Sequence, residues 1–201
     1  MILTKNFRFI LKRFRLSTLL NILGMSVAFA AFMIIIMQVW HDHSYNSPIK
    51  DRDKIFMAYS TDKEKTKYTY ISPLWCEKIK EISPHAKDYT FLGYSDPKTT
   101  LCIGKDQYTT GKITTVSSNY LSFFNFHMIV GGLDCLNEYN AVAVPESFAL
   151  KYFGTTDVIG KTIDREQETY INGVYKDFPG NCFIKNDIYQ QFYISPELKE
   201  N

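Results

Sequence analysis

A chain of 201 residues has room for one ordinary domain and an attached segment. Its net charge of +2 is unevenly placed: Lys5, Arg8, Lys12, Arg13 and Arg15 fall within the first 15 residues, and no acid joins them. Taking those five from 23 basic residues leaves 18 against 21 acids, so the remainder carries about −3, which excludes a nucleic-acid-binding body and fits a basic end that faces a membrane.

Residues 1–16 form a basic segment with two faces. Leu3, Phe7, Ile10, Leu11 and Phe14 share one side of a helical wheel, and Lys5, Arg8, Lys12 and Arg15 the other. Such a stretch either lies in the inner headgroup layer or serves as a topology signal without fixed structure. From Leu16 to Trp40 no charged residue occurs. As a helix this run measures about 37 Å, enough to cross a hydrocarbon core of about 30 Å. Ala28-Phe29-Ala30 matches the small-x-small pattern of a signal-peptide cleavage site, yet the apolar run continues beyond it to Trp40. We therefore read 17–40 as a retained transmembrane helix in lipid. Basic residues precede it, and His41, Asp42 and His43 follow it. The N-terminus is expected in the cytoplasm and the chain from about residue 41 outside, with Trp40 at the interface. Gly24, Ala28 and Ala31, with Asn21 and Ser17 nearby, make a small-residue stripe that suits a partner helix.

Residues 41–54 read as a juxtamembrane connector, in which Pro48 limits how far a helix continues. The domain follows over 55–201. IFMAYS from Ile55 is a predicted strand. Ser72 and Pro73 open a predicted helix whose buried stripe is Trp75, Ile79 and Ile82, with Pro84 after its end. KDYTFLGYS, TTLCIG and KITTVS are predicted strands, with a tight turn at Gly104-Lys105-Asp106. NYLSFFNF reads as a short aromatic helix ahead of Gly131-Gly132, and AVAV as a brief strand. The next helix takes Pro145 in its first turn and Lys151 in its last, and stops at Gly154. A hairpin over 161–178 and a strand in IYQQFYIS complete an α+β class.

The residues offer little covalent chemistry. Cys76, Cys102, Cys135 and Cys182 contain no CxxC, which argues against zinc, and buried free thiols are the expected state. His41 and His43, with Asp42, read as a polar collar rather than a metal site. His85 and His127 lack a carboxylate or nucleophile at a suggestive spacing, and Asp177 and Asp187 read as solvated surface acids. The expectation is no catalytic, metal or cofactor site and no enzyme. KYFGTTDVIGKTI, residues 151–163, looks like a phosphate loop, but five residues rather than four separate Gly154 from Gly160-Lys161, and Asp157 puts a carboxylate in the supposed cradle.

Several ordered pieces carry a family resemblance. They are the basic start and NILGMSVAFAAFMIIIMQVW, then Phe153-Gly154, Ile159-Gly160-Lys161, Gly173-Val174 and Asp177-Phe178-Pro179. The chain resembles the N-terminal part of a MacB/FtsX-type permease of an ABC transporter: the first membrane helix plus the periplasmic core domain. The resemblance implies a cell inner membrane location, a separate cytoplasmic ABC ATPase subunit and a second permease copy as partners. It also implies transmission of ATPase-driven motion to export or regulate an envelope substrate or partner. Family members carry three more membrane helices, so a fragment of a longer permease is one expectation. A single-pass sensor or ligand-binding module is the alternative.

Overall fold

The computed structural model describes residues 15–69, 71–103, 107–164 and 168–192. It divides into two units, 1–45 and 46–201. The basic segment falls almost wholly outside the described residues, as does the Gly104-Lys105-Asp106 turn.

In the first unit, helix α1 runs over Arg15–Ser44, with mean hydropathy 2.4 in its most apolar 18 residues and no buried residue. Its 30 residues are long and apolar enough to cross a membrane. Apolar side chains surround it on every side, so it has almost no amphipathic direction, unlike the surface helix of a globular domain.

In the second unit, a short 3-10 turn at Arg52–Lys54 leads to a two-stranded ribbon, β1 (Ser60–Thr61) with β2 (Lys67–Tyr68). Helix α2 covers Pro73–Ile82. The main sheet is built from β3 (Leu92–Ile103), β4 (Gln107–Val116), β5 (Met128–Val130), β6 (Ala141–Pro145), β7 (Thr162–Asp164), β8 (Thr169–Tyr175) and β9 (Ile188–Gln191), in the order β3-β4-β9-β6-β8-β5. β4 runs parallel to β9, and β6 parallel to β8; the other neighbours are antiparallel. β5 and β7 share the outer edge of β8: β5 meets Val174 and Tyr175, and β7 meets Thr169 and Tyr170. Short helices α3 (Tyr120–Phe123) and α4 (Glu146–Phe153) and a 3-10 turn at Cys135–Asn137 complete the unit.

Strand periodicity sorts the core into two layers. Val142, Val144, Ile171, Val174 and Ile188 point to the face that α4 covers through Ala149, Phe148 and Phe153. Ala143, Tyr175 and Tyr189, one residue out of phase, point to the opposite face and an aromatic layer with Tyr120, Phe124 and Phe126. All five residues of β6 are therefore buried, the signature of a strand covered on both faces.

Three expectations are corrected. Residues 55–59 are not a strand: only Ser60–Thr61 pairs, and Phe56 and Met57 stand 86% and 77% exposed. Helix α2 forms where its start and stop signals place it, but Trp75, Ile79 and Ile82 are exposed, Ile82 by 80%. Amphipathic spacing reports a face that needs cover, not the cover itself. The separate strands expected in KDYTFLGYS and TTLCIG are one strand, β3, which begins at Leu92 and absorbs two register shifts. Pro97 lies inside the second shift, where a missing N–H is tolerated. β5 had no sequence signal beyond three apolar residues, too few for a period.

Candidate functional site

Five amides of the glycine loop that resembles a phosphate cradle are committed elsewhere. Gly154 closes α4 in the left-handed conformation (φ 70°) and donates to Leu150 O at 3.0 Å. Asp157 N donates to Thr155 Oγ1 at 3.1 Å and Val158 N to Thr156 O at 3.1 Å. Gly160, also left-handed at φ 78°, donates to Ile171 O at 2.7 Å, and Lys161 N to Val158 O at 3.1 Å. The Lys161 ammonium sits 4.8 Å from the centre of the Phe153 ring. No phosphate cradle forms from amides that already have carbonyl or hydroxyl acceptors. The loop is a connection between α4 and the β7–β8 pair, pinned by buried Val158.

The remaining motif residues have packing duties. A Cβ on Gly173 would lie 2.6 Å from Cys135 Sγ and 2.8 Å from Met128 Cε, so the glycine lets the 3-10 turn cross β8 closely. Asn172 secures the same crossing by donating from Nδ2 to Cys135 O at 3.0 Å. Val174 is fully buried. Asp177 accepts from Ser147 N at 3.3 Å, meeting one of the free amides in the first turn of α4.

The sequence-predicted polar candidates separate. His41 Nδ1 lies 3.4 Å from Asp42 Oδ1 on exposed α1. His85 and His127 are exposed. Asp177 caps α4, whereas Asp187 is mostly buried and accepts from Lys112 Nζ at 2.8 Å and Thr114 Oγ1 at 3.0 Å. Asp187 is thus not the solvated acid expected of it. Among the described residues, no group of three or more His, Cys, Asp or Glu is placed to hold a metal ion. None of the four cysteines is in a disulfide, three of them are buried, and burial pushes the Cys135 thiol up to about 12.

Beneath the sheet lies a layer of phenols. Tyr120, Tyr175 and Tyr189 pack with Phe126 at ring separations of 5.0–5.9 Å. Tyr175 Oη donates to Asp187 O at 2.5 Å, and Tyr189 Oη to Lys185 O. Burial raises the ionisation of all three well above the ordinary phenol value.

The feature that sequence reasoning missed is a seat for the domain's own first residues. Asn46, left-handed at φ 58°, donates its N–H to Asn181 O at 3.0 Å and accepts from Phe183 N at Oδ1, at 2.8 Å. Its carbonyl accepts from Ile49 N at 3.0 Å, and Ile49 enters the aromatic layer at 4% exposure. The receiving loop is closed by Asn186, which accepts from Phe178 N at 2.8 Å and donates to Phe178 O at 2.9 Å. Nothing in the spacing of NSPIK or GNCFIKN announces this pairing, which joins residues 137 positions apart.

The chain thus carries a helix of membrane-crossing length and, after it in sequence, an α+β domain built on a mixed sheet. The MacB-like periplasmic core domain family matches residues 18–196. The chain belongs to that family. A comparison with curated proteins gave no match. Among solved structures, a domain of a permease-like protein from Porphyromonas gingivalis is similar at 22% identity and TM-score 0.53, covering 63% of this chain and 60% of that one. The periplasmic region of MacB from Actinobacillus actinomycetemcomitans is similar at 18% identity and TM-score 0.37, over 53% of this chain and 50% of that one. The extracellular domain of the ABC-type transporter YknZ from Gram-positive bacteria is similar at 19% identity and TM-score 0.44, over 61% and 63%. The chain thus spans less than two thirds of each of these solved domains.

Proposed function

We propose that this chain is a membrane-anchored permease component of an ABC transporter, whose domain passes ATPase-driven motion to an envelope substrate or partner. In this reading 1–16 is a cytoplasmic segment, 17–40 the membrane helix, 41–54 the connector and 55–201 the periplasmic domain. The N-terminus faces the cytoplasm of a cell with an inner membrane. A separate cytoplasmic ABC ATPase subunit hydrolyses ATP, and a second permease copy packs against the stripe at Gly24, Ala28 and Ala31. The chain itself makes and breaks no covalent bond.

The observation that carries this reading is the family match over 18–196, which takes in the apolar helix and the domain together. The packing duties of the motif residues add support, since a force-bearing body needs a stiff sheet rather than a reactive pocket. The sensor alternative draws on one feature: an open hollow of about 330 Å³ between Lys50–Ile55 and Ser122–Asn125. The ion pair from Lys54 Nζ to Asp51 Oδ1 at 2.7 Å occupies part of its rim.

Purification of the tagged full chain from native membranes tests the choice. The transporter reading expects co-purification of an ATP-hydrolysing subunit and of a second copy. A chain that purifies alone, retains a small molecule, and loses it on Phe123→Ala replaces the transporter reading with the sensor.

A further inference from the structure

We propose that Asn46, anchored by Ile49, is the positioning joint through which the chain leaving the membrane helix is fastened to the centre of the sheet. The proposal rests on the transmission reading above and names the residue that would carry the load. Helix α1 ends at Ser44, and Tyr45 is the one residue before Asn46. From Asn46 onward the chain is held at three points: the N–H to Asn181 O, the side-chain oxygen to Phe183 N, and the buried Ile49 side chain. The first two bonds flank Cys182, so they grip the loop on both sides of a buried residue.

The loop leads onward without slack. Cys182 and Ile184 are 1% and 2% exposed, and the Phe183 ring meets Phe124 edge-to-face at 5.3 Å. Cys182 O accepts from Lys185 Nζ at 3.2 Å, and Lys185 O accepts from Tyr189 Oη. Two residues past the Asn186 clasp begins β9, which pairs with β4 on one side and β6 on the other. A displacement of Asn46 therefore reaches an interior strand through hydrogen bonds and close packing. The residue type matters twice. Asparagine tolerates the left-handed backbone, and its amide oxygen supplies the acceptor for Phe183.

The test uses the full chain in lipid nanodiscs with its co-purified ATPase subunit, and reads amide hydrogen exchange with and without ATP. Asn46→Gly keeps the backbone conformation and removes the acceptor, while Asn46→Asp keeps both. In Asn46→Gly the Phe183 amide should exchange about tenfold faster. The ATP-dependent change at Ile188–Gln191 should fall severalfold, while Ala141–Val144 stay as protected as in the parent. Asn46→Asp should restore the parent behaviour at both places. An unchanged Phe183 amide, or an ATP response at β9 that survives Asn46→Gly, overturns the joint and leaves transmission standing. A parent protein whose domain shows no ATP-dependent exchange at all overturns the transmission reading, and the joint with it.

Discussion

Two stretches of the domain have similar apolar content and opposite fates. Between Val116 and Tyr189, apolar side chains fill two dense layers on either side of the sheet. Between Ile55 and Tyr94, Phe56, Met57, Trp75, Ile82, Leu92 and Tyr94 each stand 60% or more exposed. The difference lies in what each stretch is packed against. β6 has strands on both edges and cover on both faces, whereas α2 is held by polar contacts at its side, Lys80 to Asp88 at 3.0 Å and Tyr89 to Glu77 at 3.3 Å. Exposed pairs of that kind contribute little, about 0–1 kcal/mol each. Apolar residues stabilise a fold when they are covered, and their number alone decides nothing.

The sharpest way to break the packed stretch is alkali. Tyr120, Tyr175 and Tyr189 have folded-state ionisation raised above the ordinary value of 10.0 by burial. A raised value means the contribution is fully present below about pH 10 and lost as pH rises beyond it, by up to about 4 kcal/mol per pH unit if all three resist ionising. Thermal melts and phenolate absorbance between pH 8 and pH 12 on the order of half a unit apart should show a cooperative loss. Gradual phenolate formation in a protein that stays folded would show these rings to be reachable by water.

Removing bulk from the same layer comes next. Leu121→Ala, at a residue with no exposed surface, should cost about 2–5 kcal/mol in denaturant melts. Adding bulk costs somewhat less: Gly173→Ala puts a methyl group against Cys135 Sγ and should cost about 1–3 kcal/mol. Cys135→Ala in the same chain should recover part of that loss, because it withdraws the opposing atom. Smallest is Ile82→Ser in the open stretch, which should change stability by no more than about 0.5 kcal/mol. A loss there of the size seen at Leu121 would show that α2 is covered in the working protein.

These contrasts mark what was legible beforehand. Local grammar identified α4, its stop at Gly154, β6 as a brief strand and the β7–β8 pair, because each is dictated by neighbours in sequence. The decoy loop was rejected by spacing, and its committed amides give the physical reason, whereas Asp187 was misread as a solvated acid. Long-range facts were not legible. No local signal says that β9 enters between β4 and β6, that Asp187 meets Lys112 and Thr114, or that Asn46 reaches Phe183. For α2 the periodicity of Trp75, Ile79 and Ile82 was read correctly as amphipathic and incorrectly as buried.

The placement of β9 also sets an order of events. β4 and β6 have no partner on their facing edges until Ile188–Gln191 arrives between them, so the two halves of the sheet stay unjoined while β3 through β8 have already been synthesised. Closing a sheet with a strand that follows its neighbours so far along the chain loads the entropic cost of long loops onto a late step and slows assembly. Meanwhile two bare strand edges are available to any extended chain nearby. A nascent polypeptide of this design depends on prompt arrival of Ile188–Gln191, and a chain broken ahead of residue 188 would yield a sticky, half-zipped product.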